Sequence, residues 1–237
     1  MSFDISKLSS DYLRSSVLTV TGSTLQASHA RELVAAYFGY KIHAALLAEK
    51  KHSVNAIGGA KLLVPAIPLI EDRRKSLQGL PSGLYSSREI AAKLSDFLVG
   101  KKYFTGKVEF AGSVEIYVTE DLLLAEDAKI MNDLSGVMAE TNAQFGMEFV
   151  EYEVTETLID DDLITLSIEG KYYGTADDDR PFCGDQIDVT GTVELPRVAG
   201  HVAFGDPDIH VTGEVNQDWV DPALRFGTPE TQPDQQG

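Results

Sequence analysis

The 237-residue sequence predicts an α+β protein, with a helical N-terminal region followed by a mostly antiparallel sheet with one long covering helix. Three observations predict it. Near Lys107 the composition turns from Ala, Leu, Lys and Ser to Val, Thr, Glu, Asp and Gly, the exchange expected where helices give way to strands. Apolar residues recur at three- and four-residue steps before that point and mainly alternate after it. Charge divides there too. Residues 1–107 hold 15 Lys/Arg and 8 Asp/Glu, a net of plus 7, and residues 108–237 hold 5 and 29, a net of minus 24, which together give minus 17.

In the basic half, Ser28 is a candidate N-cap, and Leu33, Val34, Tyr37 and Phe38 form an amphipathic stripe that stops at Gly39. A second helix over Lys41–Lys51 turns Ile42, Ala45, Leu46 and Ala48 inward. A third, Leu69–Leu77, is bounded by Pro68 and Gly79. A fourth opens at Ser86-Ser87-Arg88-Glu89 and carries Ile90, Leu94, Phe97 and Leu98 on one face. In the acidic half, Lys107–Val118 alternates as a strand with a bulge at Ala111-Gly112. Residues 121–144 then have helical spacing, closed by Gly146. Strands are expected over Met147–Leu158, Leu163–Tyr173, Gln186–Leu195 and Ile209–Val215, with a shorter one over His201–Phe204. The frames Val189-Thr-Gly-Thr-Val193 and Val211-Thr-Gly-Glu-Val215 suit two related strands, their glycines marking bulges or close backbone approach. The organisation expected is a basic helical domain over 1–104, an acidic sheet domain over 105–222, and a disordered tail over 223–237, poor in apolar residues from Thr228 on.

The string SHARELVAAYFGYKIHAALLAEKK at 28–51, with LIEDRRKSLQGLP and SSREIAAKLSDFL after it, resembles the small helical domain called glyoxalase-related in uncharacterised bacterial proteins. The likeness covers about the first 100 residues. It implies a helical domain and no activity, because this part of the chain has no ordered set of His and Glu ligands. The same residues admit a helix-turn-helix reading. Ala35 and Gly39 stand four apart, and Lys41, His43, Lys50 and Lys51 fall on or near a second helix that can meet phosphates. An ordinary helical hairpin ending in a Gly C-cap explains the pattern more simply.

Metal chemistry has one candidate set. His201 and His210 flank the Gly205-Asp206-Pro207 turn, and with Glu194 they make a possible divalent site. Such a site, with the strand, helix and three-strand order, would suit a metal-dependent enzyme of vicinal-oxygen-chelate type. Two edge-strand histidines are the simpler account, and fold alone licenses no reaction. The acidic clusters Asp160, Asp161, Asp162 and Asp177, Asp178, Asp179 do not match a calcium loop, because consecutive aspartates point in alternate directions. They read as solvated turns and as an acidic surface for a partner. The single cysteine, Cys183, excludes an intramolecular disulfide and has no neighbouring His to activate it. Trp219, Leu224 and Phe226 call for burial on the sheet or in a partner.

No catalytic triad order, phosphate loop, dinucleotide glycines or firm metal motif is present. No apolar run approaches the roughly 20 residues of a membrane span, and the first residues lack the order of a signal peptide. The expectation is a cytoplasmic, non-catalytic binding or regulatory protein without cofactor. It would act through protein contacts on its acidic surface, with a basic protein as the favoured partner and DNA binding through the N-terminal region as the alternative.

Overall fold

The computed structural model describes residues 4–176 and 184–218. It is α+β, with helices first and a sheet after them. The sequence clusters into two compact units. The first comprises residues up to Glu126 with Val154–Ile168 and Thr192–His210. The second comprises Asp127–Glu153, Glu169–Gly191 and residues from Val211.

Helix α1 (Ile5–Thr21) starts at Asp4, whose side chain accepts from the Lys7 amide, and ends at Gly22. Periodicity does not signal it, because Ser6, Ser9 and Ser10 lie on its buried face beside Leu13 and Val17. Ser10 donates back to the Ser6 carbonyl at 2.8 Å, the local bond that lets a serine enter a helix interface. Next come α2 (Ala27–Tyr37), the six-residue α3 (His43–Ala48), a 3₁₀ segment (Val54–Gly59) and strand β1 (Leu62–Leu63). Helix α4 (Ile67–Ser76) has Pro in its first turn, and α5 (Ser87–Gly100) opens on a capping box between Ser86 and Glu89. The α2 cap is Gln26, without a side-chain bond, where the pattern points to Ser28.

The strand expected over 107–118 is confined to β2 (Lys107–Val108). Its partner β1 runs parallel to it for two residues, Leu62 opposite Lys107 and Leu63 opposite Val108. Pro65 follows and has no N–H to extend the ladder. Ser113 then caps α6 (Val114–Tyr117) by accepting from the Ile116 amide at 3.3 Å, so the Val114, Ile116, Val118 alternation falls on helix. The single helix expected over 121–144 is instead a π turn (Val118–Leu122) followed by α7 (Leu123–Ala125), α8 (Asp127–Asp133) and α9 (Ser135–Met138). Gly146 lies inside β3 (Ala143–Ile159) rather than at a helix end.

The long strands β4 (Leu163–Ala176) and β5 (Gln186–Ala199) follow, then β6 (Ala203–Phe204) and β7 (Asp208–Val215). The sheet order is β2-β1-β6-β5-β4-β3, with β7 also paired to β5. Strands β3, β4, β5 and β7 supply residues to each unit. The two related frames are brought together. The Thr190 and Thr212 hydroxyls are 3.2 Å apart, and the Asn216 amide donates to the Gln186 carbonyl, an antiparallel register. Gly213 is a close approach, since a Cβ there would stand 2.8 Å from Leu134 Cδ2.

The core of the first unit joins the helices to the β5–β6 corner. Leu13, Val17, Leu33, Val34, Phe38, Ile90, Leu94 and Leu98 share a cluster with Ala199, Val202 and Ala203. Among the described residues, no helix is long and apolar enough to cross a membrane. Leu13 is fully buried, so Leu13→Ala is expected to lower the unfolding free energy by about 2–5 kcal/mol, measured by urea denaturation; a loss near zero would place α1 outside the cooperative core.

Candidate functional site

In the first unit, the polar groups converge where α2 meets the turn after β5. Helix α2 closes at Phe38, and Gly39 follows at φ +86°, where a Cβ would come 2.7 Å from His201 Cβ. Glycine is needed on both counts. The His201 amide donates to the Phe38 carbonyl at 3.0 Å, and the Gly200 amide to the His52 carbonyl at 2.8 Å. The His201 ring meets Tyr40 edge-on, 4.6 Å between centroids. Burial, with the Arg197 charge, holds the His201 imidazole below its ordinary pKa.

Arg197 itself is buried on β5. Its Nη1 donates to the carbonyls of Asp161 at 2.9 Å and Asp160 at 3.3 Å, and its Nη2 and Nε to that of Gly200 at 3.2 and 3.4 Å. Glu49 faces the guanidinium at 3.8 Å and accepts from the Lys51 and His52 amides at 2.8 and 3.0 Å. The His52 amide, followed by that of Lys51 and the Arg197 charge, draws the Glu49 carboxyl below the usual range. Asp162 binds Lys51 Nζ at 2.7 Å and His52 Nε2 at 3.1 Å, and the Lys51 hydrogen bond leads in lowering its pKa. All three guanidinium nitrogens address the chain's own carbonyls, so the cluster is a brace between a helical hairpin and two strand turns.

Two of the four N-terminal cations belong to such internal contacts. Lys51 is held by Asp162, and Lys50 Nζ donates to the Leu47 carbonyl at 3.0 Å. The His43 amide donates to Glu32, which also takes the Arg73 guanidinium at 2.8 Å. Lys41 is exposed and His43 half-buried. The pair α2 and α3 stands where the helix-turn-helix reading expects it, but α3 has only six residues and exposes Ile42 and Leu47 beside those cations.

The acidic candidates divide similarly. The Asp160 amide closes a turn onto the Leu163 carbonyl, and Asp162 is ion-paired; the Asp161 side chain, 93% exposed, extends into solvent at 3.9 Å from Lys51. Asp177, Asp178 and Asp179 lie outside the described residues, as do Cys183, Trp219, Leu224, Phe226 and the tail. His201 belongs to the brace, His210 is on the solvent side of β7 at 3.2 Å from Asp208, and Glu194 is half-buried on β5. The structure does not assemble these three into a metal site; among the described residues, no group of three His, Cys, Asp or Glu could hold a metal ion.

The second unit presents a different surface. On β4, Glu169 and Lys171 are exposed and Tyr172, on the other face, is buried; on β5, buried Ile187 and Val189 alternate with Asp188 and Thr190. Glu169, Lys171, Asp188 and Thr190, with exposed Glu151 and Glu153 from β3, line a groove of about 560 Å³ that also includes Asn216 and Asp218. Among the described residues, Lys171 is the one cation in the lining against five carboxylates. Asp188 accepts from Gln186 Nε2 at 2.6 Å and Asn216 Nδ2 at 2.7 Å. Sequence reasoning placed the acidic surface in the aspartate turns and missed this one, although the two-residue alternation of carboxylates along the strands was the available signal.

Beneath the sheet, the buried Tyr172 hydroxyl donates to Asp127 Oδ1 and lies 2.8 Å from the Tyr152 hydroxyl. Burial, followed by the bond to Asp127, drives the Tyr172 phenol far above its ordinary pKa, and burial pushes Tyr152 to about 12. Both phenols stay protonated at neutral pH and act as internal hydrogen-bond groups. Compared with protein-family models, curated proteins and solved structures, the chain matches none. The likeness of its first 100 residues to the glyoxalase-related domain therefore rests on the sequence pattern.

Replacing Arg197 by Met is expected to cost about 2–4 kcal/mol in urea unfolding, since three carbonyls and Glu49 lose their donor; an unchanged midpoint would refute the brace. Because His201 resists protonation when folded, the unfolded chain binds its proton first as the pH falls through about 6.5. Stability should therefore decline from there towards the depressed folded pKa, and His201→Gln should flatten that decline, read from denaturation midpoints between about pH 7.5 and about pH 5.5.

Proposed function

We propose that the protein is a non-catalytic cytoplasmic binding protein that recruits a basic protein partner on the acidic outer face of its sheet. The observation that supports this most directly is the groove in the second unit, where, among the described residues, Glu151, Glu153, Glu169, Asp188 and Asp218 stand against a single Lys171. Among the described residues, Glu151, Glu153 and Glu169 make no ion pair, so their charge is available to an incoming cation. The brace around Arg197 offers no comparable opening, because its donors and carboxylates are engaged with the chain itself. A net charge of minus 17 adds long-range attraction for a basic partner, an effect that raises association rates and fades with salt.

The test is titration of the full chain with a lysine-rich peptide at low and high ionic strength. Binding is expected to weaken with salt, and the double reversal Glu151→Lys/Glu169→Lys is expected to weaken it by about tenfold or more at low salt. Absence of peptide binding at low salt, or binding of duplex DNA that is lost on replacing Lys41 and His43, would overturn this function.

A further inference from the structure

The acidic groove is bordered by β3, and the open edge of that strand supplies a second, independent feature. β3 is the end strand of the sheet order and, among the described residues, pairs with β4 alone. It is also long, 17 residues over Ala143–Ile159, of which 143–153 belong to the second unit, where the groove lies. A free edge presents a row of main-chain N–H and C=O groups that can template another strand. Natural edges of such length are guarded by lysines, prolines, bulges or inward charges. Here the sequence AQFGMEFVEYEVTETLI has no Lys, Arg or Pro, and its only charges are glutamates.

A guard of one sign filters rather than forbids. Glu151 and Glu153 are exposed and two residues apart, so they share one face of the strand at the groove. A second copy of this chain laid along β3 would bring glutamates against glutamates, and like charges opposite one another destabilise a strand pair. A strand with Lys or Arg at alternate positions would instead set its cations against Glu151 and Glu153, with Glu169 on β4, one strand further in, adding to the negative charge of that face. We infer that the basic partner binds by strand addition: an extended segment with alternating cationic residues pairs its main chain with the free edge of β3 and lays its cations on the acidic face. This rests on the function proposed above and specifies its mode. Main-chain bonds would supply affinity in any sequence, while alternate side chains would select the cationic one.

The experiment uses the full chain and two peptides of about twelve residues, roughly the length that can follow a strand of this size. One alternates lysine with threonine. The other has the same sequence, N-methylated throughout, so it keeps every charge and has no N–H to give. The expected result is binding of the first peptide with slowed hydrogen exchange at alternate amides of β3 by about tenfold or more, and at least about tenfold weaker binding of the second. Equal binding of the two without protection of β3 would overturn strand addition and leave recruitment by charge standing. Binding of neither at low salt would overturn both. A dimer of the chain without peptide, protected at the same amides, would show that a second copy occupies the edge and would also overturn the inference.

Discussion

The guanidinium of Arg197 lies where two strand turns expose carbonyl oxygens to a partly buried corner. It donates to Asp160 and Asp161 in the β3–β4 turn and to Gly200 in the β5–β6 turn, with Glu49 beside it. Without those donors the corner would bury unpaired acceptors, which is costlier than leaving them in water. The close approach of Gly39 to His201 lies at the same corner, where the His201 amide also donates to the Phe38 carbonyl and the Gly200 amide to that of His52. The N-terminal helices thus close their core on residues from β5 and β6, about 100 to 190 positions later in the chain.

Electrostatics in the first unit and in the second serve different ends. In the first, opposite charges are paired at short range: Lys51 with Asp162, Arg73 with Glu32, Arg74 with Glu71. The exposed pair of Lys51 and Asp162 contributes little stability, and all three pairs remove cations and carboxylates from the set open to a ligand. In the second, carboxylates on adjacent strands collect on one solvent face with one lysine among them. Strand alternation makes that unavoidable, since the opposite face is occupied by Tyr172, Ile187 and Val189.

Much of the fold was legible because burial imposes a period. Helices α2, α4 and α5 and strands β4, β5 and β7 fall where stripes or alternation place them. The exceptions have local causes. Helix α1 buries Ser6, Ser9 and Ser10 among Ile5, Leu13 and Val17, so serines interrupt the apolar stripe on its buried face. Residues 114–118 alternate like a strand but follow a helix-capping serine, Ser113, which turns them into helix. The helical spacing over 121–144 survives in pieces, interrupted at Glu126, after which Asp127 turns its carboxylate to Tyr172.

By itself the sequence determined the α+β class, the division of charge and the period of most elements, because these follow from the local order of apolar, polar and charged side chains. Tertiary structure alone decided which charges are engaged and which are open. Lys51 and Asp162 stand far apart in the chain yet 2.7 Å apart in space, while Glu151, Glu153 and Glu169 meet on one face through the pairing of β3 with β4. Pairing across that much chain depends on register and packing, which no local pattern encodes.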